Sequence, residues 1–275
     1  MTTGPDRVGR QDRPVEGVDN GFATGYRVRF DEAGSDGRIR TSALLRYASD
    51  IAWRHSEDLG FDRTWYTERG RWWVVRAIDL EVLVPIPMGT TLRLATAVVG
   101  HRRIWARRRG EFRLPDGTLA ALALADWVIV DERGRILRIP GDFGEAFPNP
   151  ELDGEIIRVA VPPAPAAPAD AAAPADAAAP ADAERLSIHV RPRDLDPMGH
   201  VNNAVYLDWI EEAIASAGYP DATTAVPRRI AIEYAASAEP GDALAATTWR
   251  KDDAWWVRLN RVGDGAVLAR ARVSG

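Results

Sequence analysis

Apolar residues recur three and four apart in two separated stretches of the chain, and each stretch reads as one long amphipathic helix. The first runs from Thr41 through Leu44, Leu45, Ala48, Ile51, Ala52 and Leu59 and stops at Gly60. The second runs from Asn203 through Tyr206, Trp209, Ile210, Ala213, Ile214 and Ala217 and stops at Gly218. Residues so spaced share one helical face, so each helix carries a single apolar stripe that needs a cover. Thr41 and Asn203 stand where a side-chain oxygen can cap the first turn, and the two glycines where a helix stops. Behind each helix the pattern becomes alternating or continuous apolar runs, broken at Pro115-Asp116-Gly117, Glu132-Arg133-Gly134 and Gly263-Asp264-Gly265. Such clusters supply the turns of antiparallel strands.

The two halves repeat one another. At a constant offset of 162, Val28-Arg29 falls on Val190-Arg191, Gly37 on Gly199, Ile39 on Val201, Thr41 on Asn203, Leu45 on Leu207 and Tyr47 on Trp209. Past the helices the offset becomes 152, with Glu81 on Glu233, Gly89 on Gly241 and Leu92 on Leu244. The change places extra residues in the first half, around Asp62 to Arg71. Each half is a strand, a long helix and a run of antiparallel strands, an α+β unit in which the sheet buries one face by wrapping the helix.

Between the halves, residues 162–183 read PPAPAAPADAAAPADAAAPADA. Alanine alone would favour a helix, but Pro168, Pro174 and Pro180 remove N–H donors and clash with the preceding turn, leaving a semi-extended tether. A recognition tract for a proline-binding partner is the competing reading. The expected division is a disordered segment over 1–20, a first module over 21–160, a linker over 161–184 and a second module over 185–275.

With 46% hydrophobic residues and 10 Trp, both modules can fill a core. The net charge of -5 argues against nucleic acid as a partner. The absence of Cys removes disulfides, thiolate metal sites and a cysteine nucleophile. No phosphate-binding glycine loop and no metal-ligand spacing is present, so neither cofactor nor metal is expected. Residues 1–20 hold Asp6, Arg7, Asp12 and Glu16 without an apolar run, which points to the cytoplasm. The apolar run from Leu119 to Val130 is interrupted by Asp126 and falls short of the ~20 residues that span a bilayer.

Residues 194–209, DLDPMGHVNNAVYLDW, concentrate the candidate chemistry. Asp196-Pro197 and Gly199 break the preceding strand, and an Asn then opens a helix whose free backbone N–H groups attract developing negative charge. That arrangement suits acyl chemistry. In the repeat register Gly34 and Arg38 occupy the places of Asp196 and His200, so only the second half supplies an acid and a histidine there.

These residues, with YRVRFDEAGSDGRIRTSALLRYASDIAWRH over 26–55 and IAIEYAASAEPGD over 230–242, resemble the hotdog-fold thioesterases. The resemblance is to the plant and bacterial acyl-ACP thioesterases in particular, which join two hotdog modules in one chain. It implies two tandem hotdog modules and hydrolysis of fatty acyl thioesters on acyl carrier protein. It also implies that the first module binds the acyl chain and the second carries catalysis. The family's catalytic Asp and His fall on Asp196 and His200. Its Asn falls on Met198 and its Glu on Ser237, and neither a thioether nor a hydroxyl can take over those roles at neutral pH.

A thioester needs a nucleophile and a stabilised oxyanion, while a thiol of pKa about 8.5 leaves readily. Asp196 is therefore expected to attack or to activate water, His200 to orient water or the carbonyl, and the helix start at Asn203 to polarise the carbonyl. The competing readings are a turn role for Asp196 and capping for Asn202 and Asn203. Asn202, Trp72, Arg107 and Arg109 are the candidate substrate contacts, with alternation placing Arg108 on the face opposite the other two arginines. By the same rule only one of Trp72 and Trp73 should face an acyl tunnel. Glu212, Glu233 and Ser237 are the reserve candidates for a second catalytic group. Hydrolysis of acyl-CoA or aryl-CoA, and a non-catalytic carrier-binding role, are the rival functions, and both a monomer and a homodimer fit.

Overall fold

The computed structural model describes residues 20–147, 155–160 and 183–275. The expectations for the N-terminal segment and the proline-rich linker fall outside these residues, save that Asn20, Ala183 and Glu184 are described.

The first half comprises β1 (Phe22–Arg27), α1 (Thr41–Asp58), α2 (Arg63–Arg69), β2 (Arg71–Val82), β3 (Thr91–Arg102), β4 (Trp105–Arg113), β5 (Leu119–Asp131) and α3 (Gly141–Ala146). The second comprises β6 (Glu184–His189), α4 (Asn203–Ser216), β7 (Arg228–Tyr234), β8 (Ala243–Lys251), β9 (Ala254–Arg261) and β10 (Val267–Ser274). The extra residues of the first half form α2. Asp62 accepts the Trp65 N–H at 2.8 Å to start it, and Gly70 at φ 55° ends it in the left-handed region that favours glycine.

All ten strands form one antiparallel sheet in the order β1-β3-β4-β5-β2-β7-β10-β9-β8-β6. The join is the β2–β7 ladder, which pairs Ala77 with Glu233, Ile78 with Ile232 and Leu80 with Ile230. A main-chain ladder thus fuses the two modules at the centre of the sheet. Helices α1 and α4 lie against its inner face and touch each other. Leu44 and Ile51 of α1 and Leu207, Ile210 and Ile214 of α4 are fully buried in one shared core. Each such side chain contributes about 1.5–3 kcal/mol on burial.

The repeat register holds atom for atom in the loops ahead of the helices. Gly34 N–H donates to Arg38 O and Asp196 N–H donates to His200 O, both at 2.8 Å. Val28 N–H bonds Thr90 O as Val190 N–H bonds Asp242 O, which reproduces both offsets in one pair of contacts.

Residues 155–160 cross the outer face of the sheet as a strap over both modules. Ile157 N–H donates to Asp126 Oδ2 at 2.6 Å on β5, and Val159 N–H to Glu233 Oε2 at 3.2 Å on β7. Val159 is buried with Trp249, Ala254 and Trp256 of the second module.

Candidate active site

The loop before α4 is a tight reversal closed by its own acid. Leu195 and Val201 bridge as antiparallel partners, and Gly199 N–H donates to Asp196 O at 2.9 Å with Gly199 at φ 80°. Asp196 Oδ1 accepts the N–H of Met198 at 2.8 Å and of His200 at 3.3 Å. Asp196 is therefore a turn residue, as its position before Pro197 allows. Its other oxygen, Oδ2, is engaged by no described residue, so a free carboxylate oxygen projects from a rigidly held turn. His200 is exposed, and its ring is hydrogen-bonded to no described residue.

The cap is one residue earlier than the apolar pattern suggests. Asn202 Oδ1 accepts the Ala204 N–H at 2.9 Å, which makes Asn202 the N-cap and Asn203 the first helical residue. The first N–H groups of a helix have no partner inside it, so Asn203 presents its backbone donor at the positive end of the α4 dipole. Likewise Arg40, not Thr41, precedes α1, and it makes no side-chain cap. Thr41 Oγ1 instead donates to Glu211 Oε1 and accepts from Arg228 Nη2, each at 2.5 Å.

The end of β7 folds over the same helix start. Tyr234 donates its hydroxyl to Asn203 O at 3.1 Å, and Ala238 N–H donates to the Tyr206 hydroxyl at 2.8 Å. Burial, first among the causes, pushes the Tyr206 hydroxyl up to about 12 and Tyr234 higher still, so both stay protonated. Ser237 is drawn beside Tyr206, but its Oγ bonds Ala238 O at 3.2 Å. Tyr206 and Tyr234 escaped the sequence reading because one lies in an apolar stripe and the other ends a strand, positions that read as core.

A largely apolar cavity of about 170 Å³ opens onto this loop. Ser49, Ala52 and Ser56 line it along successive turns of α1, and Trp73, Val98, Ala106 and Phe143 form much of the opposite wall. Met198, from the second module's loop, contributes to its lining and is 39% exposed. Walls of this composition suit the uptake of an apolar ligand. Trp72 lies in the wall, and so does Trp73: the cavity wraps the start of β2 rather than lying on one face of it.

Four other candidates are displaced. Arg107 and Arg109 lie on the outer face, as strand alternation requires, and their charges are spent there. Arg107 grips Asp126 through Nε at 2.6 Å and Nη2 at 2.8 Å, and Arg109 reaches buried Glu111 at 2.8 Å, so both are ion-paired on the face away from the cavity. Glu233 is on the same outer face, taken by Arg158 at 2.6 Å and by the strap, and cannot serve the inner-face site. Glu212 is exposed on α4, and the enclosed acid is its neighbour Glu211. Its signal was in the sequence, because Glu211 follows Leu207 by four and precedes Ile214 by three and so lies on the apolar side.

Glu211 helps line a second, more polar cavity of about 190 Å³ at the start of α1, together with Thr41, Asp36, Arg38 and Arg228. In the repeat register Ser49 holds the place of Glu211. The two inter-module cavities are therefore built on one plan with different chemistry. Among the described residues no three His, Cys, Asp or Glu side chains gather where they could hold a metal ion, and no helix is long and apolar enough to cross a membrane.

The model of the acyl-ACP thioesterase N-terminal domain matches residues 19–147, and that of the acyl-ACP thioesterase C-terminal domain matches residues 177–273. No curated protein sequence matches the chain. Among solved structures, a Lactobacillus plantarum protein assigned as an oleoyl thioesterase aligns with 94% of this chain and 96% of its own, at 18% identity and a TM-score of 0.74. An acyl-ACP thioesterase from Bacteroides thetaiotaomicron aligns with 93% of this chain and 97% of its own, at 16% identity and a TM-score of 0.72. The 12:0-ACP thioesterase from Umbellularia californica aligns over the same shares at 20% identity, with a TM-score of 0.72. At these identities the likeness is one of fold.

Proposed function

The chain belongs to the acyl-ACP thioesterase family, and from that membership we propose that it hydrolyses fatty acyl-ACP at the loop of Asp196, with the acyl chain in the first module's cavity. The observation that carries this reading is Met198, which sits two residues from Asp196 and also lines that cavity. A thioester whose chain fills the cavity has its carbonyl beside the start of α4.

Asp196 Oδ2 takes a proton from water as the water oxygen bonds to the thioester carbon. The oxyanion forms near the free N–H of Asn203 and the positive end of the α4 dipole. Collapse of the tetrahedral intermediate breaks the carbon–sulfur bond. The departing thiolate takes back the proton held by Asp196, which restores the carboxylate and leaves the free fatty acid and ACP. His200, exposed at the end of the turn, orients the water. Met198 and Ser237 supply no base, so the single carboxylate carries the proton transfer.

The test is thiol release from purified protein on matched acyl-ACP and acyl-CoA thioesters across chain lengths. Faster turnover of the ACP thioesters supports the assignment. Faster turnover of the CoA thioesters would move the substrate to acyl-CoA.

A further inference from the structure

Of the two arginines that line the apolar cavity, Arg63 is exposed and Arg108 is buried. Arg108 is only 9% exposed. Strand alternation turns this side chain inward from β4 while Arg107 and Arg109 turn out. Its Nη1 lies 3.0 Å from His55 Nδ1 and 3.4 Å from Thr96 Oγ1, and its guanidinium stands 5.9 Å from the Phe147 ring centroid. No carboxylate among the described residues lies within ion-pair distance, and the rest of the guanidinium fork has no hydrogen-bond partner among them. His55 cannot compensate the charge: burial, then the Arg108 charge, pushes its ring down to about 3, so it is neutral and accepts from Arg108. Burial also draws Arg108 down to about 10, which leaves it protonated at neutral pH.

A buried guanidinium without a counter-charge is costly even when hydrogen-bonded, and a pocket meant for plain hydrocarbon is better served by Leu or Met at that place. The described residues hold no counter-charge for Arg108, and the cavity it lines is where a ligand can bring one. The α1 residues that line the cavity run from Ser49 to Ser56, seven residues and roughly 10 Å along the helix, and Arg108 lines the same cavity. We propose that the preferred acyl group ends in a carboxylate, and that Arg108 binds this ω-carboxylate while the intervening methylenes fill the aromatic-walled cavity. A guanidinium matches a carboxylate with two parallel N–H donors, and the burial of Arg108 strengthens the pairing. This inference rests on the reading that the cavity holds the acyl chain of a thioester cleaved at Asp196.

The experiment compares suberoyl-ACP with octanoyl-ACP, and adipoyl-ACP with hexanoyl-ACP, in wild type, Arg108→Met and Arg108→Lys. A parallel measurement follows the melting temperature with free suberate or free octanoate. Wild type is expected to favour the ω-carboxyl substrate at least tenfold in kcat/KM. Arg108→Met inverts that preference, and Arg108→Lys keeps part of it. Suberate raises the melting temperature of wild type and leaves that of Arg108→Met unmoved. Equal or better turnover of octanoyl-ACP by wild type, with no thermal shift from suberate, overturns the inference while leaving the hydrolase reading intact. If neither thioester is cleaved the hydrolase reading fails, and the suberate shift in wild type still decides whether Arg108 binds a carboxylate. That wild-type measurement also decides if the variants do not fold.

Discussion

Glu211 gives the fold a pH dependence of unusual sign. It lies on the apolar side of α4, its Oε1 accepting the Thr41 hydroxyl at 2.5 Å. Burial raises its pKa from 4.5 to about 7, against the opposing pull of the Thr41 hydroxyl and the Arg228 charge, while Asp208 adds to the rise. Between those two values the unfolded chain has released a proton that the folded chain still holds. Stability therefore falls as pH rises through this window, by about 1.4 kcal/mol per unit and about 3 kcal/mol in all, and the contribution levels off above the folded value. A carboxylate stabilised by an ion pair does the reverse. Glu211→Gln keeps the shape and the oxygen that accepts from Thr41 but cannot ionise. Urea unfolding of both proteins from about pH 4.5 to 8 should show the variant gaining about 3 kcal/mol relative to wild type across the window. A stability difference that stays constant with pH would refute the argument.

Two further predictions concern the cavity and the strap. Ala106→Phe fills the apolar cavity from β4 and should shift the released fatty acids to shorter chains, read by gas chromatography, at an overpacking cost of about 1–3 kcal/mol. Asp126 is 0% exposed and holds both Arg107 and the strap N–H of Ile157, so Asp126→Asn should destabilise the protein by about 3 kcal/mol in chemical denaturation.

The fold was legible because the apolar periods and the glycines repeat at fixed offsets. Gly37 and Gly199 both adopt positive φ, at 72° and 80°, so the repeat is one of backbone conformation as well as of sequence. Strand alternation correctly divided Arg107 and Arg109 from Arg108. Alternation also sets Glu111, two residues on, beside Arg109, but Asp126 comes to Arg107 from the neighbouring strand β5, a register that no local pattern contains. The sequence likewise presented Thr41 and Asn203 as caps. The structure starts each helix at that residue and turns Thr41 to Glu211 across the module interface, a contact 170 residues apart that no local rule contains. The acid pocket on one side and the apolar cavity on the other arise from Ser49 and Glu211 occupying matched places. That asymmetry appears only when two helices are set against each other.

The most direct test of the account is thiol release from acyl-ACP by wild type and Asp196→Asn, with melting temperatures measured alongside. Asn retains an Oδ1 acceptor for the N–H groups of Met198 and His200, so the turn should stand and the melting temperature should hold. Loss of the carboxylate should lower kcat at least about a hundredfold. Wild-type turnover by a folded Asp196→Asn protein would contradict the placement of catalysis at this loop.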